Sequence, residues 1–137
     1  MQAKNVPEFG VGYSCDAVAA LYQHAATLVS FVLVKGTRIV ALRLREDDHP
    51  KILARPAEVW VGPVPPAVRA WGKTLARHTE CVPVFVKRKG KQNYTFVGDH
   101  EVQARQATPA ELATARAEVP HTQGVSRIVF LKRLETD

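Results

Sequence analysis

Apolar residues in this chain come in short runs separated by charged or proline-rich turns, and that spacing constrains the fold more than any other feature. The longest run, 28–34, is interrupted by Ser30 and falls far short of the roughly 20 apolar residues a membrane-spanning helix needs. Runs of this length, rich in Val, Leu, Ile and Phe and bounded by turn residues, read as strands. The expected strands are 28–34, 38–45, 58–61, 82–87, 94–103 and 126–134. Lys35-Gly36-Thr37 turns the first into the second, and the basic stretch 88–93 joins 82–87 to 94–103, so two hairpins are expected. Pro83 has no N–H to give to a ladder, which assigns it to a strand start or a sheet edge.

Helical signatures lie between these runs. Ser14 is a candidate cap for a helix over 15–26, where Val18, Leu21, Tyr22 and Ala25 recur at helical spacing. Pro66 suits the first turn of a helix over 66–77, because its missing N–H has no partner there. Thr108-Pro109-Ala110-Glu111 joins a cap, a first-position proline and a glutamate at the third position, and starts a helix that Pro120 stops. The order is α-β-β-β-α-β-β-α-β. Regular βαβ alternation is missing, which argues against a doubly wound nucleotide-binding fold. The expected class is α+β, a small curled mixed or antiparallel sheet or barrel with about three short helices.

The chain has 137 residues, 46% of them hydrophobic and 23% charged, enough for one core and unlike a disordered polyelectrolyte. The proline cluster Gly62-Pro63-Val64-Pro65-Pro66 is too short to divide it. One domain over 1–137 is expected, with loose ends at 1–6 and 135–137. Met1-Gln2-Ala3-Lys4-Asn5 lacks the apolar core of a secretory signal, so a cytoplasmic location is expected. Cys15 and Cys81 are expected to be free thiols in that compartment. The net charge is +6, which suits a polyanionic partner.

Two basic elements give that charge a layout. On the helix at 66–77, Val68, Trp71 and Leu75 share one side. Arg69, Lys73 and Arg77, at steps of four, form a cationic row on the other. Such a row can follow a phosphate backbone. In Lys87-Arg88-Lys89-Gly90-Lys91-Gln92-Asn93, four cations fall within five residues at the tip of a hairpin. A counter-anion would relieve their repulsion, and Gln92 and Asn93 could bond base edges. Both basic elements are expected to face one surface. Trp60, Tyr94 and Phe96 flank the hairpin and are candidates for stacking a base in a pocket beside it.

The catalytic inventory is thin. His24, His49, His78, His100 and His121 fall in no metal-ligand spacing with the cysteines. No glycine-rich phosphate loop, Gly-x-Ser-x-Gly elbow or His-Glu-x-x-His occurs. Asp99 and Glu101, two apart on a strand, could share a metal with Asp47 or Asp48. No cofactor and no resident metal are expected.

Four stretches, 58–63, Trp71-Gly72-Lys73, 82–88 and 94–98, together resemble PUA-like barrel modules. These include the SRA, EVE and YTH groups and related modules attached to modification-dependent restriction nucleases. The likeness covers about residues 55–103. It implies a curled sheet with flanking helices that holds a modified or extruded base. The leading expectation is a non-enzymatic nucleic-acid-binding module, DNA ahead of RNA, with selectivity for a modified or flipped base as its finer form. The alternatives are a protein-interaction or regulatory domain that meets an acidic partner, and a small metal-dependent nuclease.

Overall fold

The computed structural model describes residues 8–14, 17, 18, 27–29, 32–35, 38–62, 66–118 and 125–134. In chain order the elements are β1 (Gly12–Tyr13), β2 (Thr27–Val29), β3 (Val32–Lys35), β4 (Arg38–Arg45), β5 (Ala57–Val61), α1 (Pro66–Ala76), β6 (Val82–Lys87), β7 (Tyr94–Val102), α2 (Pro109–Glu118) and β8 (Arg127–Arg133). The strands form one mixed sheet in the order β2-β3-β4-β6-β7-β8-β5, with β1 also paired to β7. Neighbours are antiparallel except β4 and β6, which run parallel from Leu42↔Val84 to Arg45↔Lys87. Parallel neighbours need a long crossover. Here β5 and α1 make it, and β5 ends at the far edge, against β8.

The sheet curls because its apolar residues meet only that way. One cluster joins Ile39, Leu42 and Leu44 of β4 to Val82, Val84 and Val86 of β6, Val59 and Val61 of β5, Val129 and Leu131 of β8, and Leu75 of α1. β3 and β4 from one side of the sheet and β5 at its opposite edge share this core, so an α+β fold with a strongly curled mixed sheet is established. Two smaller clusters cover the outer face. Val18, Leu33, Ala41, Phe85, Tyr94 and Phe96 form one, and Trp60, Ala115, Val125, Ile128 and Phe130 form the other beneath α2. The strand β6 is thus buried on both faces, as its nearly unbroken apolar composition requires.

Three expectations need correction. The described residues hold two helices, not three. The expected first helix, 15–26, lies largely outside them. Only Ala17 and Val18 are described, both in helical conformation, and Ser14 caps them, its hydroxyl accepting from Ala17 N at 3.1 Å. The run 28–34 is not one strand: β2 and β3 pair Thr27↔Val34 and Val29↔Val32 as a tight hairpin. No Gly, Asn or Asp separates the two strands in the sequence, so composition alone reads them as one. The strand count among the described residues is eight rather than six, the other addition being the two-residue β1.

The helices follow their sequence signals. Thr108 and Glu111 form a reciprocal capping box, Glu111 N donating to Thr108 Oγ1 at 3.1 Å and Thr108 N to Glu111 Oε1 at 2.9 Å. In α1 the tight residue is Gly72. A Cβ there would lie 2.5 Å from Val61 Cγ1, so the helix can ride on β5 only because this position is glycine. Pro83 is the second residue of β6, ahead of the first parallel pair with β4 at Val84 and opposite Asp99 of β7, next to a register shift. No helix among the described residues is long and apolar enough to cross a membrane.

Candidate nucleic-acid interface

The helix row is presented as its spacing suggests: Arg69, Lys73 and Arg77 are exposed or half-exposed, while Leu75 is buried. Lys73 and Arg77 line a cleft of about 600 Å³ together with Arg105 and Arg127. The cleft lies between the end of α1, the loop from β7 to α2 and the start of β8. Gln103, Gln106 and Ser126 supply its neutral polar groups, and no carboxylate is among its lining residues.

Local structure fixes this cluster. Gln103 N donates to Phe130 O at 2.9 Å and Arg105 N to Gln103 O at 2.9 Å, so the loop stays tied to β8. The Arg105 guanidinium then lies over the Phe130 ring, 3.9 Å from its centroid, and bonds the Glu111 carboxylate. The backbone N–H of Thr108, with Arg105 beside it, holds the Glu111 carboxyl below its ordinary range. Ser126 N donates to Val61 O at 2.7 Å, which seats Arg127 beside the end of β5. Sequence spacing could not reveal Arg105 or Arg127. They are about thirty and fifty residues beyond the helix row, and the pairing of β8 with β5 and with β7 brings them to it.

The basic hairpin lies elsewhere. Its tip, 88–93, precedes Tyr94, whereas the cleft loop 103–107 follows Val102, so the two sit off opposite ends of β7. Nine residues of strand separate them by roughly 25 Å at about 3.3 Å per residue. The expected single positive surface joining the two groups is therefore not formed. Arg88, Lys89, Lys91, Gln92 and Asn93 are exposed and Lys87 is half-buried. Sequence reading missed Glu46, which accepts from Lys89 N at 3.0 Å and offsets part of the tip's charge. A second concavity, of about 550 Å³, is bordered by Arg88, Lys91, Gln92 and Asn93 and by Phe9 and Leu53.

The three expected stacking rings are in the core. Trp60, Tyr94 and Phe96 are 5%, 7% and 8% exposed. Trp60 packs in the cluster beneath α2, its Nε1 donating to Glu58 Oε1 at 2.9 Å. Tyr94 and Phe96 pack in the same cluster as Phe85, and the Arg43 guanidinium lies 4.9 Å from the Tyr94 centroid. Phe96 is also among the residues that border the hairpin concavity. Trp60 borders a smaller concavity of about 240 Å³ with Lys51, Glu58 and residues of α2, and Tyr94 borders neither.

The carboxylates expected to share a metal stay apart. Asp99 and Glu101 are exposed on β7, while Asp47 pairs with Arg45 at 3.6 Å in the loop after β4. Among the described residues no three His, Cys, Asp or Glu side chains gather as ligands. Cys81 is free and exposed, and Cys15 lies outside the described residues. Comparison with protein-family models, with curated proteins and with solved structures returned no match, so the chemistry of the cleft is what bears on function.

Proposed function

We propose that the protein is a nucleic-acid-binding module that grips the phosphate backbone in the cleft of Lys73, Arg77, Arg105 and Arg127, with DNA ahead of RNA as the polymer. The observation that carries the reading is the convergence of these four cations on one cleft whose lining residues include no carboxylate, the Glu111 carboxylate that bonds Arg105 lying outside that lining. Clustered cations repel one another, and an anion between them relieves that repulsion. Planar guanidinium groups match phosphate oxygens in pairs, and Lys73 adds a mobile point charge. Phosphate contacts confer affinity without sequence choice, so no modified-base preference is attached to this cleft. DNA precedes RNA because the PUA-like resemblance includes readers of modified DNA bases.

The test is retention on immobilised duplex DNA by the wild type and by the charge-reversed pair Lys73→Glu with Arg127→Glu, both exposed or half-exposed positions. The reading expects retention by the wild type and its loss in the variant at an unchanged melting temperature. Equal retention of both overturns it. Capture on polyglutamate but not on DNA would replace the nucleic acid by an acidic protein partner.

A further inference from the structure

Phe9 is the most exposed of the large apolar side chains among the described residues, at 62%, and Leu53 is 39% exposed. Phe9 is not a loose ring. Gly10 N donates to Phe96 O at 3.0 Å and Phe96 N to Val11 O at 3.3 Å, which straps the segment to β7, and Val11 N donates to Glu8 O at 3.1 Å within the segment's own turn. Gly10, at φ +82, makes the turn that lifts Phe9 off the strand. The ring lies 3.7 Å from where a Cβ on Gly98 would be, and the Arg133 guanidinium is 5.5 Å from its centroid.

Phe9 and Leu53 share the hairpin concavity with Arg88, Lys91, Gln92 and Asn93, and no carboxylate is among its lining residues. An apolar ring left in water, two cations and two side-chain amides together match one kind of occupant. A base stacks on a ring with either face, the amides can donate to and accept from its edge, and the cations suit the phosphates on either side. In a duplex both faces of each base are already stacked, so this site needs an unpaired strand.

We infer that the hairpin concavity takes an unpaired base of a single-stranded polynucleotide, stacked on Phe9, with the flanking phosphates against Arg88 and Lys91. This rests on the nucleic-acid reading above but uses a different end of the molecule. Phe96 borders this concavity as well, whereas Trp60 and Tyr94 do not.

The experiment is fluorescence anisotropy with a labelled oligothymidine strand and a mixed-sequence duplex of equal length. It compares the wild type, Phe9→Ala, Phe9→Trp, and the pair Lys73→Ala with Arg77→Ala. Loss of one stacked base corresponds to roughly tenfold weaker binding. Phe9→Ala should show that loss on the single strand alone, Phe9→Trp should retain affinity, and the Lys73/Arg77 pair should weaken the duplex. If Phe9→Ala lowers the melting temperature, Arg88→Ala with Lys91→Ala serves in its place, with the same single-strand loss expected. Unchanged single-strand binding in these variants overturns the inference while leaving the cleft reading intact. Failure of the wild type to bind either polymer overturns both. Binding of polyglutamate that depends on Phe9, with no single-strand binding, would assign the site to an acidic peptide and overturn the inference.

Discussion

The guanidinium of Arg105 lies 3.9 Å from the centroid of the Phe130 ring and is bonded from its edge by Glu111. A cation held on two sides is already oriented before any ligand arrives, so little rotamer entropy is lost on binding. Arg105→Lys keeps the charge but loses the planar fork and the stack. Duplex affinity should fall roughly two- to fivefold, the equivalent of an exposed cation–π contact of about 0.5–1 kcal/mol. A titration in which Arg105→Lys equals the wild type would show that only the charge matters.

Gly72 sets the seat of the basic helix. Alanine is the better helix former by about 1 kcal/mol, yet its methyl would lie 2.5 Å from Val61 Cγ1, and Val61 is buried in the core. Overpacking of this kind costs typically about 1–3 kcal/mol, so the clash should win. Gly72→Ala should lower the urea midpoint and weaken DNA binding by shifting Lys73 and Arg77. An unchanged or raised midpoint would show that α1 lifts off β5 at no cost.

Stability should fall in acid because of His49. Its ring is buried, and desolvation lowers its pKa from 6.5 to about 4. Neutral Nδ1 accepts the backbone N–H of Trp60 at 2.9 Å, a bond that protonation removes. With the folded pKa below the unfolded one, the unfolded chain binds more protons between about pH 4 and 6.5. The stabilisation is therefore complete above pH 6.5 and is lost as pH falls towards 4, a change on the order of 3 kcal/mol. Burial lowers the His100 pKa as well, with the same sign. Urea unfolding across this range should show the slope, and His49→Gln should flatten it. Equal slopes in wild type and variant would assign the acid sensitivity to other groups.

Local signals in the sequence were readable wherever one residue type decides one geometry. Thr108 with Glu111 marked the start of α2, Pro66 the start of α1, and the apolar runs gave β4, β6, β7 and β8 to within a residue or two. The turn between β2 and β3 was not readable, since pairing of Val29 with Val32 rather than turn chemistry defines it. Lys73 and Arg77 were legible as a row. Their companions Arg105 and Arg127 were not, because long-range strand pairing alone makes them neighbours. Tyr94 and Phe96 share a strand with exposed polar residues, and sequence alternation cannot say which side of a curled sheet lies open. The Glu46 carboxylate beneath Lys89 N was hidden for the same reason, since a parallel pairing brings the end of β4 to the end of β6.

The most direct measurement is the slope of log affinity against log salt for duplex DNA, taken for the wild type and for Lys73→Ala with Arg77→Ala. Each phosphate neutralised contributes about −0.9 to that slope. With two fewer phosphates neutralised in the cleft, the slope should be shallower by about 1.8, and all duplex sequences should be weakened alike. The same slope in wild type and variant, at a shared melting temperature, would contradict the claim that this cleft grips the phosphate backbone.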